Sequence, residues 1–491
     1  MKLALFLVGA AAVAGFAPLA WWPLVPVALA ILFGALERAA SPREAFRRGF
    51  AFGAGFFLAG VSWIYVSLHV FGLMPAPLAG IATVGFCLVL ALFPALVGWL
   101  QARLGLPRAL NLLLVLPALW TLAEWVRGWL FTGFPWIATG YSAVDTALAG
   151  LAPIAGVYGL SFALAMIAGA IALVPAASTP QRALAVLVAI AWFVAGGAAG
   201  RIEWTRARGA PIEVALLQGN IPQELKFVPG RYESIVNTYL KLLERAPARL
   251  TVLPETAIPR FIGDLEPELV RAFRAHGIAN GGDVLVGLPT GDPRGRYYNS
   301  MVSFGTSPSG VYSKSHLVPF GEFMPPGFSW IVAILKIPLA EFTRGPQVQQ
   351  PLAIAGERVA VNICYEDAFG EEIIRQLPEA TLLVNASNVA WFGDSLAPAQ
   401  HLQIARMRSI ETGRAMLRAT NTGVTAIIDH RGRTERLEGF SEGVLVGKVI
   451  GREGATPYVR FGNTGVLAII ASVLVIGLLL ALMKSRRAPA R

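Results

Sequence analysis

The chain has 491 residues, of which 55% are hydrophobic and only 14% charged, against roughly 25% charged in a soluble average, and its mean hydropathy is +0.58. That composition excludes an ordinary soluble protein. The formal charge of +11 falls mostly outside residues 201–463, in short connections between apolar runs. It therefore does not build the basic stripe a nucleic acid requires, and no nucleic-acid partner is expected.

In chain order, eight apolar segments are predicted to cross a bilayer: 3–19, 21–36, 49–70, 76–100, 109–131, 151–174, 183–200 and 464–483. A crossing needs ~20 apolar residues, and residues 49–100 contain no Asp, Glu, Lys or Arg, so that block holds two crossings. The second segment is short and carries Pro23 and Pro26; with the first it also fits a tight hairpin or a re-entrant pair.

The basic residues set the orientation. Lys2, then Arg38, Arg43, Arg47 and Arg48, then Arg103 and Arg108, then Arg182, and finally Lys484, Arg486, Arg487 and Arg491 occupy alternate connections. Positive charge resists translocation, which predicts cytoplasmic termini and places the long polar stretch after span seven on the far side. In span five, Glu124 and Arg127 are spaced to pair on one helix face; the alternative is that Arg127 reaches the interface beside Trp129. The predicted division is 1–200 for spans one to seven, 212–455 for a polar domain, 464–483 for the last span and 484–491 for a cytoplasmic tail.

The polar domain alternates strand-like and helix-like runs. IEVALLQGNI, LTVLPET, DVLVGLPT, VAVNIC and TLLVNASN read as strands, ESIVNTYLKLLERA, PELVRAFRAHGI and HLQIARMRSIETGRAMLRA as helices, and YYNSMVSFG with GVYSKS as a strand pair. Continuous Val/Leu/Ile runs point to sheets covered on both faces.

Three side chains at or just after strand ends, where α/β sheets build sites, form the candidate constellation: Glu255 in LPETAIP, Lys314 in YSKSHLVPFGE and Cys364 in VNICYED. They supply a base, a cation and a nucleophile. Cys87 and Cys364 are the only cysteines, so the polar domain contains no disulfide. A thiol becomes an effective nucleophile near neutral pH only with a neighbouring cation or base. Backbone amides in YEDAFGEE are expected to stabilise a thiolate or an oxyanion, with Glu366 and Asp367 capping the helix that follows. His69, His276, His316, His401 and His430 show no ligand-like spacing, and no metal site is expected. The apolar run at 323–341 fits either a core helix or a lid whose Phe328, Trp330, Ile331 and Leu335 offer an apolar surface over the site.

LPETAIP, YSKSHLVPFGEFMP and NICYED, flanked by QGNIPQ, NASN and RATNTG, resemble the motifs of the nitrilase superfamily. Together with the membrane architecture, the chain resembles its membrane-integrated branch, the apolipoprotein N-acyltransferase family. The resemblance implies a polytopic helical membrane domain plus a four-layer α-β-β-α sandwich on the periplasmic side of a bacterial inner membrane. It implies acyl transfer from a phospholipid, commonly phosphatidylethanolamine, to the α-amine of a diacylglyceryl-cysteine apolipoprotein, without a cofactor. It also implies catalysis by Glu255, Lys314 and Cys364, with Glu322 as an additional glutamate and Tyr365 and Glu366 in support. Phe227, in QELKFVP, falls near a position where relatives carry Trp. Two other classes stay open: a membrane-tethered amidase or other C–N hydrolase using the same side chains, and a non-enzymatic receptor or transporter.

Overall fold

The computed structural model describes residues 1–228, 230–292, 295–325 and 341–487. The chain divides into two compact units, one comprising Met1–Tyr65, Pro77–Glu203 and the chain from Arg460 onward, the other Val66–Ala76 with Trp204–Val459.

The first unit is helical. Among the described residues, five helices are long and apolar enough to cross a membrane: Ala76–Leu104, Arg108–Arg127, Ala147–Leu173, Thr179–Ala199 and Thr464–Lys484. A sixth candidate is the pair Pro42–Val61 and Ile64–Phe71, bent by 55°. The remaining two predicted spans are the short apolar helices Lys2–Gly15 and Leu24–Glu37, each below the ~20 residues a crossing needs. Of the eight predicted spans, five or six are therefore long and apolar enough to cross, the first two being short because the chain turns out of helix at Phe16 and re-enters it only at Leu24. Gly9 and Gly55 let the helices Lys2–Ala12 and Pro42–Val61 touch: a Cβ on Gly55 would stand 1.9 Å from the Phe6 carbonyl oxygen, and one on Gly9 2.1 Å from that of Phe52. Such small-residue contacts are how apolar helices pack without a water-driven force.

Arg127 is 3% exposed, so its guanidinium is enclosed by protein. Its guanidinium donates to the Trp136 carbonyl at 2.8 Å, and Glu124 accepts from the Thr139 N–H at 2.8 Å and from Trp120 Nε1 at 3.1 Å. Both charges thus satisfy the backbone of the irregular stretch after their helix, which has no ladder of its own.

Among the described residues, the second unit carries twelve strands: β1 (Arg206–Gln218), β2 (Leu250–Val252), β3 (Asp283–Gly291), β4 (Tyr297–Gly305), β5 (Val311–Ser313), β6 (Leu352–Ile354), β7 (Glu357–Ile363), β8 (Leu382–Ser387), β9 (Met416–Thr420), β10 (Ala426–Ile428), β11 (Thr434–Arg436) and β12 (Gly443–Glu453). They form two six-stranded mixed sheets, ordered β12-β1-β2-β3-β4-β5 and β11-β10-β9-β8-β7-β6. β1, β2 and β3 run parallel, as do β7, β8 and β9, and the outer strands are antiparallel.

Strand periodicity explains the packing. Val214 and Leu216 of β1 face a core shared with Val361 of β7 and Val384 of β8, while the alternate Ala215 and Leu217 pack under Ile235, Tyr239 and Leu242 of the helix Tyr232–Glu244. On the second sheet, Leu383 and Met416 meet Leu402 and Ala405 of the helix Ala397–Thr412. Strands apolar on both faces can sit only inside such a stack. Each fully buried Leu or Val contributes about 1.5–3 kcal/mol, so the register at the strand ends is firmly held.

Candidate active site

Those strand ends deliver the candidate side chains. The chain leaves β2 toward Glu255, leaves β5 directly at Lys314, and leaves β7 directly at Cys364. The Lys314 ammonium lies 3.4 Å from Glu255 and 2.9 Å from Glu322. Asn299 on β4 donates from Nδ2 to both carboxylates, at 2.7 Å to Glu255 and 3.1 Å to Glu322. The Asn388 N–H, just past β8, donates to Glu255 Oε2 at 2.8 Å. Glu255 is thereby fixed by donors from both sheets. Charge-assisted bonds of this kind orient a carboxylate and stabilise it more strongly than neutral ones.

Cys364 adopts φ +52°, the left-handed region that side chains other than glycine avoid at a cost of about 1–2 kcal/mol. Strain of this sort persists only where surrounding bonds over-determine it. Here Asn385 Nδ2 donates to the Cys364 carbonyl at 3.1 Å, and Arg418 Nη1 donates to Asn385 Oδ1 at 2.6 Å. A guanidinium can only donate, so Arg418 decides which end of the Asn385 amide faces Cys364. Asp367, expected as a helix cap, instead accepts from Arg418 at 2.9 Å and pairs with His401 Nε2 at 2.7 Å, wholly buried behind Cys364.

Burial, and next the Glu255 carboxylate, push the Cys364 thiol well above its ordinary pKa, with Lys314 opposing them. Burial favours neutral Lys314, but Glu255 and Glu322 outweigh it and hold the ammonium protonated above its usual range. At rest the site therefore favours a neutral Cys364 thiol beside a cationic Lys314, which leaves an oxyanion, of the two expected species, for the backbone amides of YEDAFGEE to meet.

Glu366 is a strut between two strands. It accepts from Ser315 N–H at 2.7 Å, His316 N–H at 3.0 Å, Tyr312 hydroxyl at 3.0 Å and Ile363 N–H at 2.7 Å, tying the Lys314 loop to the end of β7. Burial raises its pKa against these donors. Tyr365 is buried with its ring edge-on to Phe369 at 5.0 Å. Phe227 is 67% exposed and lines no core. Of the 323–341 run, residues 326–340, including Phe328, Trp330, Ile331 and Leu335, lie outside the described residues. No cluster among the described residues is arranged to hold a metal ion.

Several polar residues at the site carried no individual signal in the sequence. Asn299, Asn385 and Asn388 lie on or beside strands, and Lys226, in the same QELKFVP run as Phe227, is 2% exposed. The Lys226 ammonium donates to the Glu255 main-chain carbonyl at 3.2 Å, and burial pushes its pKa down to about 8, Glu255 partly opposing. NASN and RATNTG, which hold Asn388 and Asn421, were the available pointers. Asn421 Nδ2 donates to Asn388 Oδ1 at 3.2 Å, and Asn388 Nδ2 to Gln223 Oε1 at 2.6 Å.

Two family models match the chain: the apolipoprotein N-acyltransferase N-terminal domain over residues 8–170, and carbon-nitrogen hydrolase over residues 213–458. An apolipoprotein N-acyltransferase of Nitrosomonas europaea is 48% identical over 490 residues, spanning 99% of this chain and 98% of its own. One of Ralstonia nicotianae is 46% identical over 485 residues, 97% of this chain and 92% of its own. A solved carbon-nitrogen hydrolase from Helicobacter pylori G27 aligns with 49% of this chain and 89% of its own, at 19% identity and a TM-score of 0.37.

Proposed function

We propose, given that the chain belongs to the apolipoprotein N-acyltransferase family, that it moves a fatty acyl chain from a phospholipid to the N-terminal amine of diacylglyceryl-cysteine in an apolipoprotein, through a thioester on Cys364. What supports the reading is the Lys314 ammonium held between Glu255 and Glu322, with the Cys364 thiol in the field of all three.

Because the resting thiol keeps its proton, Glu255 removes it as sulfur attacks the ester carbonyl. Lys314 and the Tyr365 N–H stabilise the oxyanion. The tetrahedral adduct collapses, its C–O bond breaks, and Glu255 returns the proton to the departing lysophospholipid. The lipoprotein amine then attacks the thioester, gives its proton to Glu255, and the C–S bond breaks to leave the amide and a thiol reprotonated by Glu255. Glu322 keeps Lys314 placed, and Phe227 offers an exposed apolar surface beside Lys226. A donor and an acceptor served in turn by one sulfur give ping-pong kinetics. The same reading carries a periplasmic catalytic domain in a four-layer sandwich, eight crossings with two of them short, and both termini in the cytoplasm of a bacterial inner membrane.

Mass spectrometry of the purified chain after incubation with phosphatidylethanolamine tests this. The expected result is a fatty acyl adduct on Cys364 that a diacylglyceryl peptide discharges with amide formation. Discharge by water at the same rate, with no amide, identifies a hydrolase instead.

A further inference from the structure

Lys226 is buried with no carboxylate among the described residues in ion-pair contact, Glu255 acting on it only at longer range. Among the described residues its ammonium makes one hydrogen bond, to the Glu255 carbonyl at 3.2 Å, and no ion pair. The residues outside the description include no Asp or Glu, so no other carboxylate side chain is available to it. Lys314 shows the contrast: equally buried, it stands between two carboxylates. An ammonium has three donors, and burying a charge without pairing it is costly. The depressed pKa of Lys226 registers that cost.

The two proposed substrates differ in the group that would meet such a cation. Both carry acyl esters on glycerol. The donor phospholipid adds a phosphodiester anion, separated from its esters by the three-carbon glycerol backbone, whereas the acceptor brings an amine. Lys226 lies against the main chain of Glu255, the residue that works on the ester, and next to Phe227 and Val228, 67% and 42% exposed. At 2% exposed, Lys226 is covered about as deeply as Lys314 at 1% and somewhat more than Glu255 at 6% and Cys364 at 7%, all of them groups a bound ester must reach. We propose that Lys226 is the donor-selecting cation of the site, pairing with the phosphodiester of the phospholipid while its acyl ester lies at Cys364. This rests on the thioester reading above and adds to it the means by which the site tells donor from acceptor.

Acylation of Cys364 by phosphatidylethanolamine and by diacylglycerol with the same chains, each in detergent micelles, tests the assignment by mass spectrometry of the full chain. The wild type is expected to favour the phospholipid in acylation efficiency by roughly tenfold or more, the scale of a charge-assisted bond. Lys226→Met is expected to erase most of that preference and Lys226→Arg to keep part of it. Equal efficiency with the two donors in the wild type, a comparison needing no variant, overturns the proposal. So does an equal slowing of both donors in Lys226→Met, which would make Lys226 a support for Glu255 alone. If neither donor leaves an adduct on wild-type Cys364, the thioester reading falls and this proposal falls with it.

Discussion

A thiol held protonated by burial and by a neighbouring carboxylate cannot wait as a thiolate; it has to lose its proton during attack. Glu255 therefore has two effects of opposite sign on Cys364. Its charge raises the thiol pKa, while its basicity makes the thiol useful. Glu255→Gln is expected to lower that pKa and speed alkylation of Cys364 by iodoacetamide at pH 8 by roughly 3- to 10-fold, while acyl transfer falls by about 10²–10⁴. Slower alkylation in this variant would refute the electrostatic assignment. Lys226 gives a second residue-scale prediction. Its folded-state pKa, about 8, lies below the usual 10.5, so the folded chain binds fewer protons than the unfolded one between those values. Stability then rises with pH across that window: the cost of the buried charge is fully present below pH 8 and gone above about 10.5. Lys226→Met should raise the apparent unfolding temperature at pH 7, by an amount corresponding to at most about 3 kcal/mol, with the gain vanishing by pH 10.5.

At the level of strands and loops, the base is positioned by how closely β3 lets the Glu255 loop approach. A Cβ on Gly287 would stand 2.1 Å from the Pro254 carbonyl oxygen, 2.7 Å from the Thr256 nitrogen and 2.9 Å from Glu255 Cα. Thr256 already sits at φ +48°, so the loop has little room to retreat. Gly287→Ala is expected to cost about 1–3 kcal/mol in stability and to lower the acylation rate at least tenfold in the molecules that fold, read by unfolding and single-turnover assays; unchanged acylation would show that Glu255 tolerates displacement. The strands that frame this site were legible in LTVLPET, VAVNIC and TLLVNASN because both-face apolar runs and the polar residues ending them are local signals. The pairing of YYNSMVSFG with GVYSKS also stands, as the antiparallel β4 and β5. What could not be read was cross-sheet chemistry. Glu366 looks like a helix cap from its neighbours, and its Ile363 bond is of that kind, but its bonds to Ser315 and His316 come from fifty or so residues away. Lys226 and Asn388 belong to residue types that are usually solvated, and only the assembled fold turns them inward.

For the molecule as a whole, the charge pattern predicts sidedness that single-cysteine labelling measures. Arg43 and Arg231 are both exposed and lie in segments predicted on opposite sides. In intact spheroplasts a membrane-impermeant maleimide should label Arg231→Cys and leave Arg43→Cys untouched until lysis; the reverse pattern would invert the orientation. Apolar length was an imperfect guide to the crossings, since Lys2–Gly15 and Leu24–Glu37 are hydrophobic yet short, and composition alone does not count turns. The origin of the proposed catalytic groups has a consequence for biogenesis. Glu255 and Lys314 come from the first sheet and Cys364 from the second, so a nascent chain still lacking its later half contains a base and a cation with nothing to activate. Competence then arrives only with completed assembly, which protects stray lipid esters from a prematurely reactive sulfur during synthesis.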